Sequence, residues 1–155
     1  MALGGAACNG IAGGVNCDQS GSASAQVGGG SDSVGFVALQ SGDPMTVVLG
    51  PQGLYMVTPS VRIQNMSPGK AGRVGNSDDP RVAFSLYQGT TNIGGSAREY
   101  LGLTQTADGA EVLGVFTPFT VEISTYINQT ITVKVDVDDA CGRSATGSLD
   151  VLVQQ

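Results

Sequence analysis

The sequence predicts an all-β fold, an antiparallel β-sandwich of immunoglobulin-like or related Greek-key topology with about seven to nine strands. Three observations predict it. Ile131, Val133, Val135 and Val137 alternate with Thr132, Lys134, Asp136 and Asp138, the period-2 pattern of a half-buried strand. Turn formers recur at short intervals, and many of the 24 glycines lie in the N-terminal stretch and between short apolar runs. No segment carries a helical period. A jelly roll is the alternative arrangement of the same elements.

Length and composition bound the core. The chain has 155 residues, enough for one domain and too few for two comfortable ones. Hydrophobic residues make up 41% but aromatics only 5%, and tryptophan is absent, so the core must be built of Val, Leu, Ile and Ala. The immunoglobulin signature of paired cysteines around a tryptophan is therefore missing.

Taken in order, residues 1–33 are rich in Gly, Ala, Ser and Asn and read as an N-terminal arm or tether, with the sandwich domain spanning 34–155. Residues 34–39 predict a first short strand, and Ser41-Gly42-Asp43-Pro44 a turn. Residues 45–49 predict a second strand. Its Val47-Val48-Leu49 centre is apolar on both faces and is expected to sit deep. Gly50-Pro51-Gln52-Gly53 is a tight turn. Strand character resumes over 54–66, with an edge position or a bend at Pro59, which has no N–H to donate. Residues 67–80 predict a long polar loop. Val82, Phe84 and Leu86 alternate with Ala83, Ser85 and Tyr87 in the next strand. Residues 100–103 and two segments either side of Pro118 predict short strands. The final hairpin runs over 129–155, with Asp138 to Arg143 as its turn and Leu149, Val151 and Val153 alternating in its second strand.

Charge excludes whole classes of function. Net charge is −6, and the two lysines and five arginines are scattered, so there is no basic stripe for nucleic acid and no attraction to an anionic membrane. The absence of histidine removes Ser-His-Asp and Cys-His catalysis and every imidazole metal site. No apolar run reaches the length of a membrane span. Residues 1–7 are too short for a complete signal peptide, although small residues run up to Cys8 as in the tail of a bacterial lipoprotein signal, which makes Cys8 a candidate lipid anchor.

Three cysteines leave the pairing open. A Cys17–Cys141 bridge would staple the N-terminal arm to the last hairpin turn; alternatively Cys8 and Cys17 close a small loop. Either disulfide suits an oxidising compartment.

Asp136, Asp138 and Asp139, with Asp150 on the opposing strand and Asp78 and Asp79 in another loop, form a candidate calcium site, since calcium takes six to eight oxygen ligands. Aspartates in and beside a hairpin turn also serve turn geometry alone. Met45, Met56 and Met66 read as core residues rather than copper ligands. Glu99, Glu111 and Glu122 offer carboxylates for glycoside hydrolysis in principle, but the chain lacks an obvious sugar-stacking platform. Lys134 falls on the polar face by parity, which argues against an internal isopeptide crosslink. Asn128-Gln129-Thr130 is a glycosylation sequon at a turn.

Two segments carry a resemblance. Gly50-Pro51-Gln52-Gly53-Leu54-Tyr55-Met56-Val57 resembles a Gly-Pro-Gln-Gly-Gly-aromatic-His motif of lipoprotein-like β-sandwich domains from myxobacteria and related delta-proteobacteria, with Leu54 and Met56 in place of the Gly and His. Residues 135–144 are similar to the final hairpin of bacterial immunoglobulin-like surface domains. The resemblance covers under a fifth of the chain. It supports compartment and fold more than activity. The whole sequence is read as a non-catalytic, extracytoplasmic envelope or surface interaction module of bacterial origin working through the end loops 67–80 and 138–143, with no cofactor unless calcium. Its expected partner is a protein or a surface polysaccharide. A structural subunit that self-assembles into a fibre through the N-terminal arm is the second expectation, and a calcium-binding domain the third.

Overall fold

The computed structural model of the chain describes residues 15–70 and 75–155. They form fourteen strands and one 3-10 turn: β1 (Ser24–Ser31), β2 (Gly35–Ala38), β3 (Pro44–Thr46), β4 (Val48–Leu49), β5 (Tyr55–Val57), β6 (Ser60–Gln64), β7 (Arg81–Gln88), β8 (Thr91–Gly95), β9 (Glu99–Tyr100), β10 (Thr104–Thr106), β11 (Gly109–Val112), β12 (Thr117–Pro118), the 3-10 turn Ile123–Thr125, β13 (Thr130–Asp138) and β14 (Ser144–Gln154). The fold is all-β, as the alternation requires. Several of the expected strands are split into shorter pieces, at Val47 between β3 and β4 and at Thr58 and Pro59 between β5 and β6, which raises their number.

Two large sheets carry the sandwich. The first has the order β10-β11-β6-β1-β2, the second β3-β14-β13-β7-β8 with β9 also on β7, and a small third sheet has the order β12-β5-β4. Pairing is antiparallel throughout except where β14 meets β3. β13 is held on both sides, by β14 from Thr130↔Leu152 to Asp138↔Ser144 and by β7 from Thr132↔Tyr87 to Asp138↔Arg81.

The core follows from parity. Ile131, Val133, Val135 and Val137 of β13, Val82, Phe84 and Leu86 of β7, and Val151 and Val153 of β14 are buried on one inner face. Val61 and Ile63 of β6, Val27 of β1 and Ala110 of β11 are buried on the other. Each such aliphatic side chain removed from water stabilises the fold by roughly 1.5–3 kcal/mol. Met45, Met56 and Met66 join the buried set, as core packing requires.

The boundary expected at 33/34 falls inside a hairpin. Val34 lies in the turn between β1 and β2, and β1 is a central strand, paired with β6 over Ser24–Gly28 and with β2 over Gly28–Ser31. Composition concealed it, because Gly28, Gly29 and Gly30 present no side chains to read. Structure explains two of those glycines: a Cβ on Gly28 would lie 2.4 Å from the Phe36 ring, and one on Gly30 would lie 2.1 Å from the Gly35 carbonyl oxygen. Pro59 marks a bend, standing between β5 and β6. The expectation for β4 is corrected: Val47 is buried, but Val48 and Leu49 are exposed, because no strand among the described residues packs over them.

The two large sheets approach closely where β1 crosses β14. A Cβ on Gly147 would stand 2.3 Å from the Ala25 carbonyl oxygen and 3.3 Å from Val135 Cγ1. Gly147→Ala is therefore expected to push the sheets apart and lower stability by about 1–3 kcal/mol, read as a drop in the urea midpoint at unchanged m-value. A midpoint equal to wild type would contradict this close approach.

Candidate functional site

Cys17, Cys141 and Asp139, three of the residues singled out from sequence, meet at the β13–β14 turn, where the N-terminal segment is fastened. Cys17 is bonded to Cys141 across 124 residues of chain, so Cys17 is not the partner of Cys8; Cys8 lies outside the described residues. Arg143 completes the fastening. Its guanidinium donates to the carbonyl oxygens of Gln19 at 2.6 Å, Gly21 at 3.0 Å and Asn65 at 2.6 Å.

Asp139 organises this turn. It is buried, and its Oδ1 accepts from the backbone N–H of Cys141 at 2.9 Å and of Arg143 at 2.8 Å. Its Oδ2 accepts from the Ser67 N–H at 2.8 Å, tying the turn to the end of β6. Asp79 braces the same segment from the other side, Oδ1 accepting from the Lys70 N–H at 2.7 Å; its buried Oδ2 has no partner among the described residues.

Asp136 and Asp138 point elsewhere. Strand alternation places both on the outer face of the second sheet. Asp138 accepts from Arg98 and Arg81 and from Ser144 Oγ at 2.8 Å. Asp136 pairs with Lys134 Nζ at 3.2 Å and accepts from Thr146 Oγ1 at 2.8 Å. Asp150 accepts from Thr132 Oγ1 at 2.6 Å. The expected calcium trio is thus divided, two carboxylates facing out onto cations and hydroxyls and one turned in onto amides. Among the described residues no three Asp, Glu, His or Cys side chains group so as to hold a metal ion.

The glutamates are likewise dispersed. Glu122 accepts from the Ser124 N–H at the start of the 3-10 turn, and Glu99 is exposed in β9. Glu111 belongs to a cross-strand row that sequence reasoning missed, Thr104↔Glu111↔Arg62↔Gln26 over β10, β11, β6 and β1. Arg62 donates to Glu111 through Nε at 2.8 Å and contacts it through a second nitrogen at 2.7 Å, while its guanidinium lies 4.4 Å from the Phe36 ring centroid. Arg62 and Glu111 are 49 residues apart, so only their outward parity hinted at a meeting.

The third sheet has the opposite character. No charged residue occurs from 44 to 61 or from 112 to 121, the two segments that supply β4, β5 and β12. Val47 and Val57 belong to the core, and Met56, the neighbour of Val57, turns to the opposite face. Val48, Leu49, Leu54, Tyr55, Phe116 and Val121 are exposed, Leu49 at 64% and Phe116 at 62%, with Val48 beside Met56 on one face and Leu49 beside Tyr55 on the other. A groove of about 380 Å³ runs between the β4–β5 turn and Ala97, lined by Pro51, Leu54, Met56, Phe116 and Pro118. The turn is rigidly made: Gly50 N–H donates to the Leu54 carbonyl at 2.8 Å, Gly53 N–H donates back to the Gly50 carbonyl at 3.0 Å, and Gly53 takes a φ of 76°. Comparison with protein-family models, with curated proteins and with solved structures returns no match.

Two outcomes follow at the stapled end. Cys17→Ser, or reduction, is expected to cost about 3–5 kcal/mol in urea unfolding, because the bridge closes a loop of more than a hundred residues; a loss below ~1 kcal/mol would mean the staple constrains little. Calcium at about 5 mM is expected to move the melting temperature by less than ~1 °C, and a rise of several degrees would restore the trio as a binding site.

Proposed function

We propose that this chain is a non-catalytic, extracytoplasmic interaction module that meets a protein partner through the uncharged side built from β4, β5 and β12. The observation that carries the reading is the exposure of Leu49, Leu54, Tyr55 and Phe116 on two charge-free segments that pair in one small sheet, with Leu54 and Phe116 lining one groove. Such a surface offers area to an apolar partner and nothing to a phosphate or an ionic ligand.

Two further observations support it. The Cys17–Cys141 bridge suits an oxidising compartment, and no helix among the described residues is long and apolar enough to cross a membrane. The carboxylates that chemistry would need are each engaged singly, Glu111 on Arg62, Asp138 on two arginines and Asp139 on three amides. They hold the scaffold, and the working surface lies to one side of it. This moves the working part from the end loops expected at 67–80 and 138–143 to the side of the sandwich.

Hydroxyl-radical footprinting of the envelope or secreted fraction of producing cells, set against the purified protein at nanomolar dilution, tests the reading. Peptides spanning 44–61 and 112–121 are expected to be labelled several-fold less in the native fraction than in the dilute protein. Equal labelling of those peptides in both would contradict it.

A further inference from the structure

We propose that the stapled end of the sandwich holds a groove for a neutral oligosaccharide, between Gln19 of the N-terminal segment and Gln105 of β10. The site lies away from the uncharged side and stands or falls independently of it.

Strand parity marks the place. Gln105 shares a cross-strand row with Ala110, Ile63 and Ala25 over β10, β11, β6 and β1. Ala110 and Ile63 are buried and Ala25 packs against the core, so the row faces the interior. That position calls for an apolar side chain, and the chain carries a glutamine there. A polar residue at an inward-facing position breaks a local rule, and such breaks gather at functional sites. The N-terminal segment borders the same gap, held by the Cys17–Cys141 bridge and by Arg143 on the carbonyls of Gln19 and Gly21. It leaves the gap open: a groove of about 410 Å³ remains, lined by Gln19, Gln64, Asn65, Met66, Gln105 and Asp108 among others. A second cavity of about 300 Å³ continues past Gln19 and Gln105, which line both.

The lining names the ligand class. Gln19, Gln64, Asn65 and Gln105 end in planar amides, each with N–H donors beside a carbonyl acceptor, the mixture that sugar hydroxyls match. Gln64 spends one donor on the Asp108 carbonyl oxygen and Asn65 one on that of Ser22. The side chains of Gln19 and Gln105 make no hydrogen bond among the described residues. The charge in the larger groove, Asp108, has the Arg62 guanidinium 3.9 Å away, so the groove attracts neither a phosphate nor a cation. Its apolar members are small or, like Ile63 and Met66, buried, so it has no pocket for the large side chain that anchors a peptide. No aromatic ring lines it, so binding rests on hydrogen bonds and is weak, with a Kd on the order of 0.1–1 mM for a hexasaccharide.

The two glutamines make the test specific. Cellohexaose, maltohexaose, mannohexaose and chitohexaose are each titrated to ~10 mM into the isotope-labelled chain, and NMR follows the side-chain amide signals of Gln19 and Gln105. At least one hexasaccharide is expected to shift both signals to saturation. Gln19→Ala and Gln105→Ala, each read on the remaining glutamine, are expected to weaken that binding at least ~5-fold with melting temperatures near wild type. Gln40→Ala, just past β2 at the other edge of the sheet, is expected to leave it unchanged. No saturable shift with any of the four saccharides overturns the proposal, as does binding that both substitutions leave intact. Hexaglycine shifting the two signals where no saccharide does would assign the groove to a peptide backbone and also overturn it.

Discussion

The inward face of β13 is the constraint on which the rest of this molecule depends. Ile131, Val133, Val135 and Val137 are all buried, and the strand that carries them is paired along both edges, by β7 and β14. With no tryptophan and few aromatics, the sandwich must be filled by residues of this kind, and the sheets must come close enough for short side chains to meet. Gly147 meets that requirement by letting β14 approach the Ala25 carbonyl. Once the inward face is assigned, the alternation assigns the outward one, so Lys134, Asp136 and Asp138 have no choice but to face out.

What happens to charge follows from that assignment. On the outer faces opposite charges meet, Asp136 with Lys134 along β13, Asp138 with Arg81 of β7 and with Arg98, and Glu111 of β11 with Arg62 of β6. Exposed pairs of this sort contribute little to stability, typically under about 1 kcal/mol each. Glu111 differs because it is buried, and the Phe36 ring lies beside the guanidinium that holds it. Asp139 differs again: it sits just beyond β13, where the chain leaves the sheet, and its carboxylate takes up three amides that turn geometry leaves without strand partners. The disulfide and Arg143 then hold residues 17–21 over the same turn. The polar groups of this end are thus directed into the protein, whereas the third sheet directs its apolar groups out of it.

The legibility of the sequence tracks how local each interaction is. The final hairpin was plain because its pattern repeats every two residues over the whole strand, and β7 was plain for the same reason. β1 was hidden because three of its eight residues are glycine, and its strand form is imposed by neighbours far along the chain. The Cys17–Cys141 pairing was one of two open choices, since counting thiols cannot say which of them the fold brings together. Asp136, Asp138 and Asp139 looked like one cluster because they are adjacent in sequence; parity separates the first two from the third, and the parity change at the turn is a tertiary event. The exposed side was misjudged for a related reason. Val47-Val48-Leu49 carries the signal of a buried strand, and hydrophobicity alone does not tell a buried strand from an exposed one.

The distinction between core and exposed apolar side chains is the centre of the account, and the stability of substituted chains tests it most directly. Leu49→Ser and Phe116→Ser should leave the urea midpoint near that of the wild type, whereas Leu86→Ala, at a wholly buried position, should cost about 2–5 kcal/mol. A loss of more than ~2 kcal/mol at Leu49 or Phe116 would contradict the claim that these side chains lie outside the core.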